Sequence, residues 1–135
     1  MKLIYPAIFY EDKSSKGFTV EVPDLPGCVT EGDSLEQAIE MGIDAASGWV
    51  LDELEEGKVA PQPSSPFDLK PEEGGFVSLL TLDIDAYAEK YGDKAVRKNL
   101  TIPAWLNTFA ESRNINFSDV LQNSLKDLYR KEQGV

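Results

Sequence analysis

The chain of 135 residues contains no histidine and only one cysteine, Cys28. The absence of histidine excludes Ser–His–Asp catalysis, Cys–His nucleophiles and histidine-ligated zinc sites. A single cysteine excludes an intramolecular disulfide and a multi-cysteine metal site, which disfavours a secreted, disulfide-stabilised protein. No run approaches the roughly 18 uninterrupted apolar residues that span a bilayer, and the apolar N-terminal run lacks a small-residue cleavage site after it. We therefore expect a cytoplasmic protein with no membrane partner.

Basic residues are scarce in the first two thirds of the chain. Residues 1–93 hold 20 acidic and 6 basic residues, a net charge of −14, whereas residues 94–135 hold 4 acidic and 7 basic residues, a net charge of +3. This asymmetry indicates two partners of opposite charge, because an acidic body attracts basic proteins and a basic segment contacts phosphate. The alternative is a solvated acidic surface that only keeps the protein soluble.

Hydrophobic patterning predicts four strands and one long helix in the acidic part. Strands are expected at residues 2–10, at 18–22 and around Cys28, each bounded by polar or Pro/Gly-rich turns. Residues 76–82 are apolar on both faces, which is typical of a strand buried on two sides. A helix between the third and fourth strands gives the order β-β-β-α-β, so we expect an α+β layer with one helix on a sheet.

The ends of the long helix carry capping signals. Ser34 is a good N-cap, and Gln37 is spaced to complete a capping box. Gly57 is a plausible C-terminal cap, after which residues 60–75 form a proline-rich irregular excursion. Residues 85–92 are a short polar helix or a linker.

The basic C-terminal part alternates polar and apolar residues over 96–102, which predicts a strand followed by helices that begin near Pro103 and Asn116. About 40 residues with one strand cannot bury enough surface to fold alone, and the strand leaves an open edge. Two copies that pair these strands antiparallel about a two-fold axis remove both problems. One face of the paired ribbon then carries polar side chains from each chain, namely Arg97, Asn99 and Thr101.

A two-stranded ribbon fits the major groove of B-DNA, where arginine binds guanine and asparagine binds adenine. Free N–H groups at the start of the last helix suit a phosphate oxygen. Residues 94–131 resemble a ribbon-helix-helix domain, which implies an obligate dimer that binds a palindromic operator. Lys98 departs from that family's frequently apolar position, although its stem can cover the core edge while its amine reaches a phosphate. The predicted DNA-binding residues are Lys94, Arg97, Lys98, Asn99, Thr101, Asn116, Phe117 and Ser118. The alternative is a dimerisation module with no role in DNA binding.

The segment from Phe18 to Ser34 contains Pro-Asp-Leu-Pro-Gly-Cys at 23–28 and Gly-Asp at 32–33. With the C-terminal module, this segment resembles HicB antitoxins over nearly the whole chain. The resemblance implies a partial ribonuclease-H-like domain at residues 1–83, a linker at 84–93 and a ribbon-helix-helix domain at 94–135. It further implies an antitoxin that neutralises HicA, a small basic RNA-cleaving toxin, and represses its own operon as a homodimer or a higher oligomer.

The acidic residues near one edge of the sheet are the predicted toxin contacts, namely Glu21, Asp24, Glu31 and Asp33. An equally charged group lies at the end of the long helix, comprising Glu53, Glu55 and Glu56. We expect a solvated helix terminus for that group. For Pro23, Pro26, Gly27 and Cys28 we expect a turn-shaping, structural role, with Cys28 buried.

Two other functions fit parts of the sequence. A metabolite-responsive repressor would bind a small effector in a pocket of the acidic body. A metal-dependent nuclease would need clustered carboxylates, for which the candidates are Glu11, Asp12, Glu40, Asp83 and Asp85. Carboxylates at strand ends are usually solvated, so we expect no enzyme, no catalytic residue, no metal and no cofactor.

Overall fold

The protein is described by a computed structural model that covers residues 1–133 and forms two compact units, residues 1–94 and the segment from Ala95 onward. The first unit contains four strands, two helices and a short 3-10 turn: β1 (Lys2–Glu11), β2 (Phe18–Glu21), β3 (Val29–Gly32), α1 (Leu35–Glu55), the turn Pro66–Asp68, β4 (Gly75–Asp83) and α2 (Ile84–Tyr91). The second unit contains α3 (Ala104–Ser112) and α4 (Phe117–Gln133). The predicted α+β fold class and the β-β-β-α-β order are confirmed. Within the part of the chain that is described, no helix is long and apolar enough to cross a membrane.

The four strands form one antiparallel sheet in the order β3-β2-β1-β4. The central strand β1 pairs with both β2 and β4, so that Ile8 lies opposite Glu21 on one side and Val77 on the other. The short strand β3 and the longer strand β4 are therefore the two edges of the sheet.

Helix α1 packs on one face of this sheet. Alternate residues of β1 (Tyr5, Ala7 and Phe9) are fully buried and join Ala38 and Val50 of α1 in one hydrophobic core. These three side chains share one face because successive side chains of a strand point to opposite faces. The intervening residues Pro6 and Ile8 are buried as well, so the middle of β1 is covered on both faces. The other face of the sheet, called here the outer face, carries Glu21, Val29, Glu31, Ile4 and Leu79.

Both capping signals of α1 are realised. The Ser34 hydroxyl accepts a hydrogen bond from the Gln37 N–H at 3.1 Å, and the Gln37 side-chain oxygen accepts one from the Asp33 N–H at 2.6 Å. The return bond thus reaches one residue further back than a standard capping box. At the other end, Gly57 adopts φ +82, and the N–H groups of Gly57 and Lys58 bond to carbonyls of the last turn, as in a Schellman motif.

Strand β4 differs from its predicted environment. Leu80 and Leu82 are buried against α1, but Phe76 is 43% exposed and Leu79 is 50% exposed. The prediction that this strand is buried on two sides is wrong, because β4 lies at the edge of the sheet with much of its outer face uncovered. Segment 84–93, expected to be a linker, holds α2, whose first residue Ile84 belongs to the core.

The second unit contains two helices joined by a tight turn at Asn114, which has φ +53. Residues 96–102, predicted to be a strand, have no regular secondary structure in the single chain. A strand requires a hydrogen-bonded neighbour, and no described strand lies beside this segment. Pro103, expected at the first helical position, is instead the N-cap residue just before Ala104.

Candidate functional site

Two exposed carboxylates lie on the outer face of β2 and β3. Glu21 is opposite Val29, and Glu31 is opposite Thr19, so the two glutamates are diagonal neighbours on the same face. Diagonal positions of an antiparallel pair are about 7–8 Å apart, which allows one partner surface to contact both carboxylates. We call Glu21, Val29 and Glu31 the acidic edge. Val29 is 55% exposed, so the acidic edge also presents apolar area.

Asp24 has a different environment from the other predicted toxin contacts. One of its carboxylate oxygens accepts the Ser64 N–H at 2.9 Å, and the other accepts the Ser64 hydroxyl at 2.5 Å. These bonds join the turn after β2 to the excursion that follows α1. The geometry therefore gives Asp24 a fastening role, whereas the Asp33 side chain is exposed.

The same excursion is held at two further points by tyrosines of β1. The Tyr5 hydroxyl donates to the Pro61 carbonyl at 2.6 Å, and the Tyr10 hydroxyl accepts the Glu72 N–H at 3.2 Å. Burial raises the pKa of Tyr5, and the charge of Asp24 raises it further. The excursion is thus anchored to the sheet at both ends.

The Pro/Gly-rich segment 23–28 forms a compact turn, as predicted. The Val22 N–H bonds to the Cys28 carbonyl at 3.0 Å, and the Cys28 N–H bonds to the Leu25 carbonyl at 2.9 Å. Leu25 is fully buried, and the buried Cys28 thiol has a pKa raised by desolvation. The Trp49 indole N–H donates to the Pro26 carbonyl at 3.0 Å and ties the turn to α1. The structural interpretation of this segment is therefore confirmed.

A shallow depression of about 350 Å³ lies beside α1 and was not predicted. Two carboxylates and two aromatic rings line it, from Asp44, Trp49, Asp52 and Tyr87. Burial, then the negative charge of Asp44, raises the pKa of the Tyr87 hydroxyl. The i, i+8 spacing of Asp44 and Asp52 signals one helix face, but nothing in the sequence indicates that Tyr87 of α2 packs beside them.

The carboxylates considered for a nuclease do not converge. Strands β1 and β4 are antiparallel, so Glu11 lies near the start of β4 while Asp83 is opposite Lys2 at the far end. At about 3.4 Å per residue, the ends of a nine-residue ladder are about 27 Å apart. Asp83 instead caps α2 by accepting the Ala86 N–H, and Asp85 pairs with the N-terminal amine. Among residues 1–133, no group of three or more His, Cys, Asp or Glu side chains is placed to hold a metal ion.

The residues predicted to bind DNA are all exposed in the single chain. Asn116 serves as the N-cap of α4, because its side-chain oxygen accepts the Asp119 N–H at 3.1 Å. Around these residues the second unit exposes much apolar area, since Val96, Trp105, Val120 and Leu128 are each more than half exposed. Ala110 is the one buried residue of this unit within its described part.

Comparison with known proteins shows what the chain is related to. Residues 5–123 match the family model described as HicB_like antitoxin of bacterial toxin-antitoxin system. The chain belongs to the HicB-like antitoxin family. This match spans most of both units, and the HicB-like resemblance of the sequence is thereby confirmed.

Solved structures agree with membership of the HicB-like family. A chain of a toxin–antitoxin complex from Streptococcus pneumoniae is 26% identical, with a TM-score of 0.62 over 94% of this chain and 99% of that one. The antitoxin HicB of Burkholderia pseudomallei is also 26% identical, with a TM-score of 0.55 over 91% and 96% of the two chains. An uncharacterized 14.9 kDa protein from the rep-hol intergenic region of Haemophilus phage HP1 is 29% identical over 77% of this chain and 76% of its own length.

Proposed function

We propose that this HicB-like antitoxin neutralises a HicA-like toxin by covering the toxin's RNA-binding surface with the acidic edge of its first unit. Such a block is steric and electrostatic and needs no chemistry from the antitoxin. The observation that supports it most directly is the position of Glu21 and Glu31, which share one exposed face with the half-exposed Val29. Unpaired surface carboxylates attract a basic partner, and adjacent apolar area supplies contact energy once the partner is bound.

The proposal does not depend equally on the four predicted toxin contacts. Glu21 and Glu31 are exposed and adjacent, and Asp33 is exposed at the end of β3. Both carboxylate oxygens of Asp24 already accept hydrogen bonds from Ser64, so Asp24 contributes mainly through its charge and through the shape of the turn.

RNA cleavage by a purified HicA-like toxin, measured with and without this protein, tests the assignment. The variant Glu21→Lys with Glu31→Lys should lose inhibition at equimolar antitoxin, because it places like charges against a basic partner. The variant Glu55→Lys with Glu56→Lys changes the net charge equally and is the matched control, expected to inhibit normally. If only the control variant fails, the toxin binds the helix end instead. If both variants inhibit normally, neither the glutamates of the acidic edge nor those of the helix end take part in toxin recognition.

We further propose that the second unit forms a ribbon-helix-helix homodimer that binds a palindromic operator. The exposed apolar side chains of residues 96–128 favour the proposal that a partner covers them, because large exposed apolar patches mark interaction sites. A second copy would also supply the neighbour that residues 96–102 need to become a strand, with Arg97, Asn99 and Thr101 on its polar face.

Binding to DNA from upstream of the protein's own gene tests this second assignment. Arg97→Ala should weaken binding by about 5- to 150-fold, which corresponds to the roughly 1–3 kcal/mol of one good bidentate base contact. Lys126→Ala removes the same charge from α4 and should change affinity little at 150 mM salt. Equal affinities for Arg97→Ala and the unmodified protein would leave a dimerisation module without a DNA-reading role.

A further inference from the structure

Strand β4 has a long free edge. Its nine residues pair with β1 on one side, and no described strand pairs with the other side. In an antiparallel ladder, alternate residues direct both main-chain groups away from the neighbour, so about four residues of β4 offer free N–H and C=O groups. Folded proteins usually protect such an edge with a charge, a proline, a bulge or a covering element.

The interior of β4 carries none of the side chains that protect an edge. Residues 75–82 read Gly-Phe-Val-Ser-Leu-Leu-Thr-Leu, without charge or proline, inside a segment of net charge −14. The opposite edge strand, β3, has only four residues and carries Glu31. Because three strand spacings of about 4.8 Å separate β3 from β4, the sheet has an acidic edge and a neutral edge about 14 Å apart.

Exposed apolar side chains surround the neutral edge. Leu79 of β4 and Ile4 of β1 are diagonal neighbours on the outer face, and each is 50% exposed. The 3-10 turn at Pro66–Asp68 packs beside β4 and holds Phe67 at 94% exposure. This turn is rigidified by the Ser65 hydroxyl, which accepts the Phe67 N–H at 3.3 Å. Aromatic residues, phenylalanine included, are enriched at the cores of protein interfaces.

We propose that β4 pairs antiparallel with β4 of a second copy about a two-fold axis, which joins two four-stranded sheets into one of eight strands. If the axis passes beside Leu79, that residue faces its own copy, Val77 faces Thr81, and Phe76 faces Leu82. Each of these cross-strand pairs is apolar or β-branched and none brings charges together, so the strand is complementary to itself. Pairing of residues 76–82 with their copies supplies about eight main-chain hydrogen bonds.

Charge selects the second copy over the toxin as the occupant. A basic partner is attracted by carboxylates, and the carboxylates of the acidic edge lie on β2 and β3, towards the sheet edge opposite β4. Two copies of a first unit in which residues 1–93 alone carry a net charge of −14 repel each other, so they associate best along a neutral strip, which β4 provides. The interface is separate from that proposed for the C-terminal unit and leaves the acidic edge free.

Cross-linking through one introduced cysteine per variant of the full-length protein tests the pairing. Leu79→Cys places a thiol opposite its own copy, whereas Val29→Cys places one on the other edge strand at similar exposure. The native Cys28 is buried, so its background reaction is low. With a short bismaleimide at micromolar protein, we expect covalent dimer from Leu79→Cys at several times the yield from Val29→Cys. Equal yields would overturn the inference.

Particle mass gives a second, independent readout. Leu79→Lys puts a charge on the edge and should halve the mass measured by light scattering, while Val29→Lys should leave it unchanged. Toxin inhibition by Leu79→Lys should stay normal, so this result separates the pairing from the proposed antitoxin function. If Leu79→Lys keeps its mass and loses toxin inhibition, the occupant of β4 is the toxin and the proposal is wrong. Circular dichroism confirms that each variant is folded.

Discussion

Gly32 stands at the closest approach between the sheet and α1, so its replacement by alanine is a stringent test of the packing. A Cβ atom at this position would lie 2.3 Å from the Ala38 backbone nitrogen and 2.7 Å from the Ala38 Cα. These neighbours belong to a helix backbone and cannot move aside as a side chain does. Gly32, which belongs to the HicB-like segment, is therefore constrained by steric contact with the first turns of α1.

The expected cost of Gly32→Ala follows from what must move. Inserting a methylene among mobile core side chains typically costs about 1–3 kcal/mol. Here the clash is relieved only if α1 lifts from β3, which exposes the fully buried Ala38 and strains the cap at Ser34. We expect a loss of at least about 3 kcal/mol, a large part of the roughly 5–15 kcal/mol that stabilises a typical domain.

Urea unfolding followed by tryptophan fluorescence measures this loss. A Trp105→Phe background leaves Trp49 as the single indole, so that the signal reports on the first unit. Gly57→Ala is the control. Gly57 has φ +82, and no atom lies within 4 Å of the Cβ that alanine would add. This substitution should therefore cost only the roughly 1–2 kcal/mol of left-handed backbone strain. The reasoning is refuted if Gly32→Ala is no less stable than Gly57→Ala.

Three further predictions concern the anchored turn and excursion. Ser64→Ala removes one hydrogen bond to the Asp24 carboxylate. In urea unfolding, it should lower the free energy of unfolding by about 1–2 kcal/mol while toxin inhibition persists. An unchanged stability would contradict the fastening role of Asp24. The buried Cys28 thiol should react with Ellman's reagent at pH 8 at least about tenfold more slowly in the native state than in urea, and equal rates would disprove its burial. Folding raises the pKa of Tyr5, so the contribution of this residue to the free energy of unfolding is complete below its unfolded pKa and is lost as pH rises through its folded pKa. Tyr5→Phe should therefore flatten the decline in stability above about pH 10. An identical decline in the variant and the unmodified protein would refute this.

Local rules predicted the first unit well because its elements depend on neighbouring residues. Ser34, Gln37 and Gly57 set the ends of α1 through short-range hydrogen bonds, and the structure places them in those roles. The burial of Val20 between the more exposed Thr19 and Glu21 of β2 likewise follows from one buried face. The capping bond to Asp33 in place of Ser34 is a shift of one residue, within the normal variability of helix ends.

Long-range features were harder to predict. The run at 76–82 is apolar on both faces, which fits a central strand, but the described part of the chain contains no fifth strand to cover β4. Periodicity reports which faces are apolar and does not report what covers them. The same limit applies to Asp24, whose charge suggested a partner contact, whereas its hydrogen bonds go to Ser64, 40 residues away in the sequence.

For residues 96–102, the sequence pattern predicts a strand that a single copy does not form. Their alternation specifies two faces, but a strand exists only where a neighbour accepts and donates main-chain hydrogen bonds. Within residues 1–133 of a single chain, no strand lies beside this segment. The helices α3 and α4 form without that neighbour because their hydrogen bonds close within the helix. The proposed second copy would supply that neighbour, and it would also cover apolar side chains that α3 and α4 leave exposed in one copy. Residues 75–82 pose the same problem in the first unit, where the free edge is already a strand and needs only a partner.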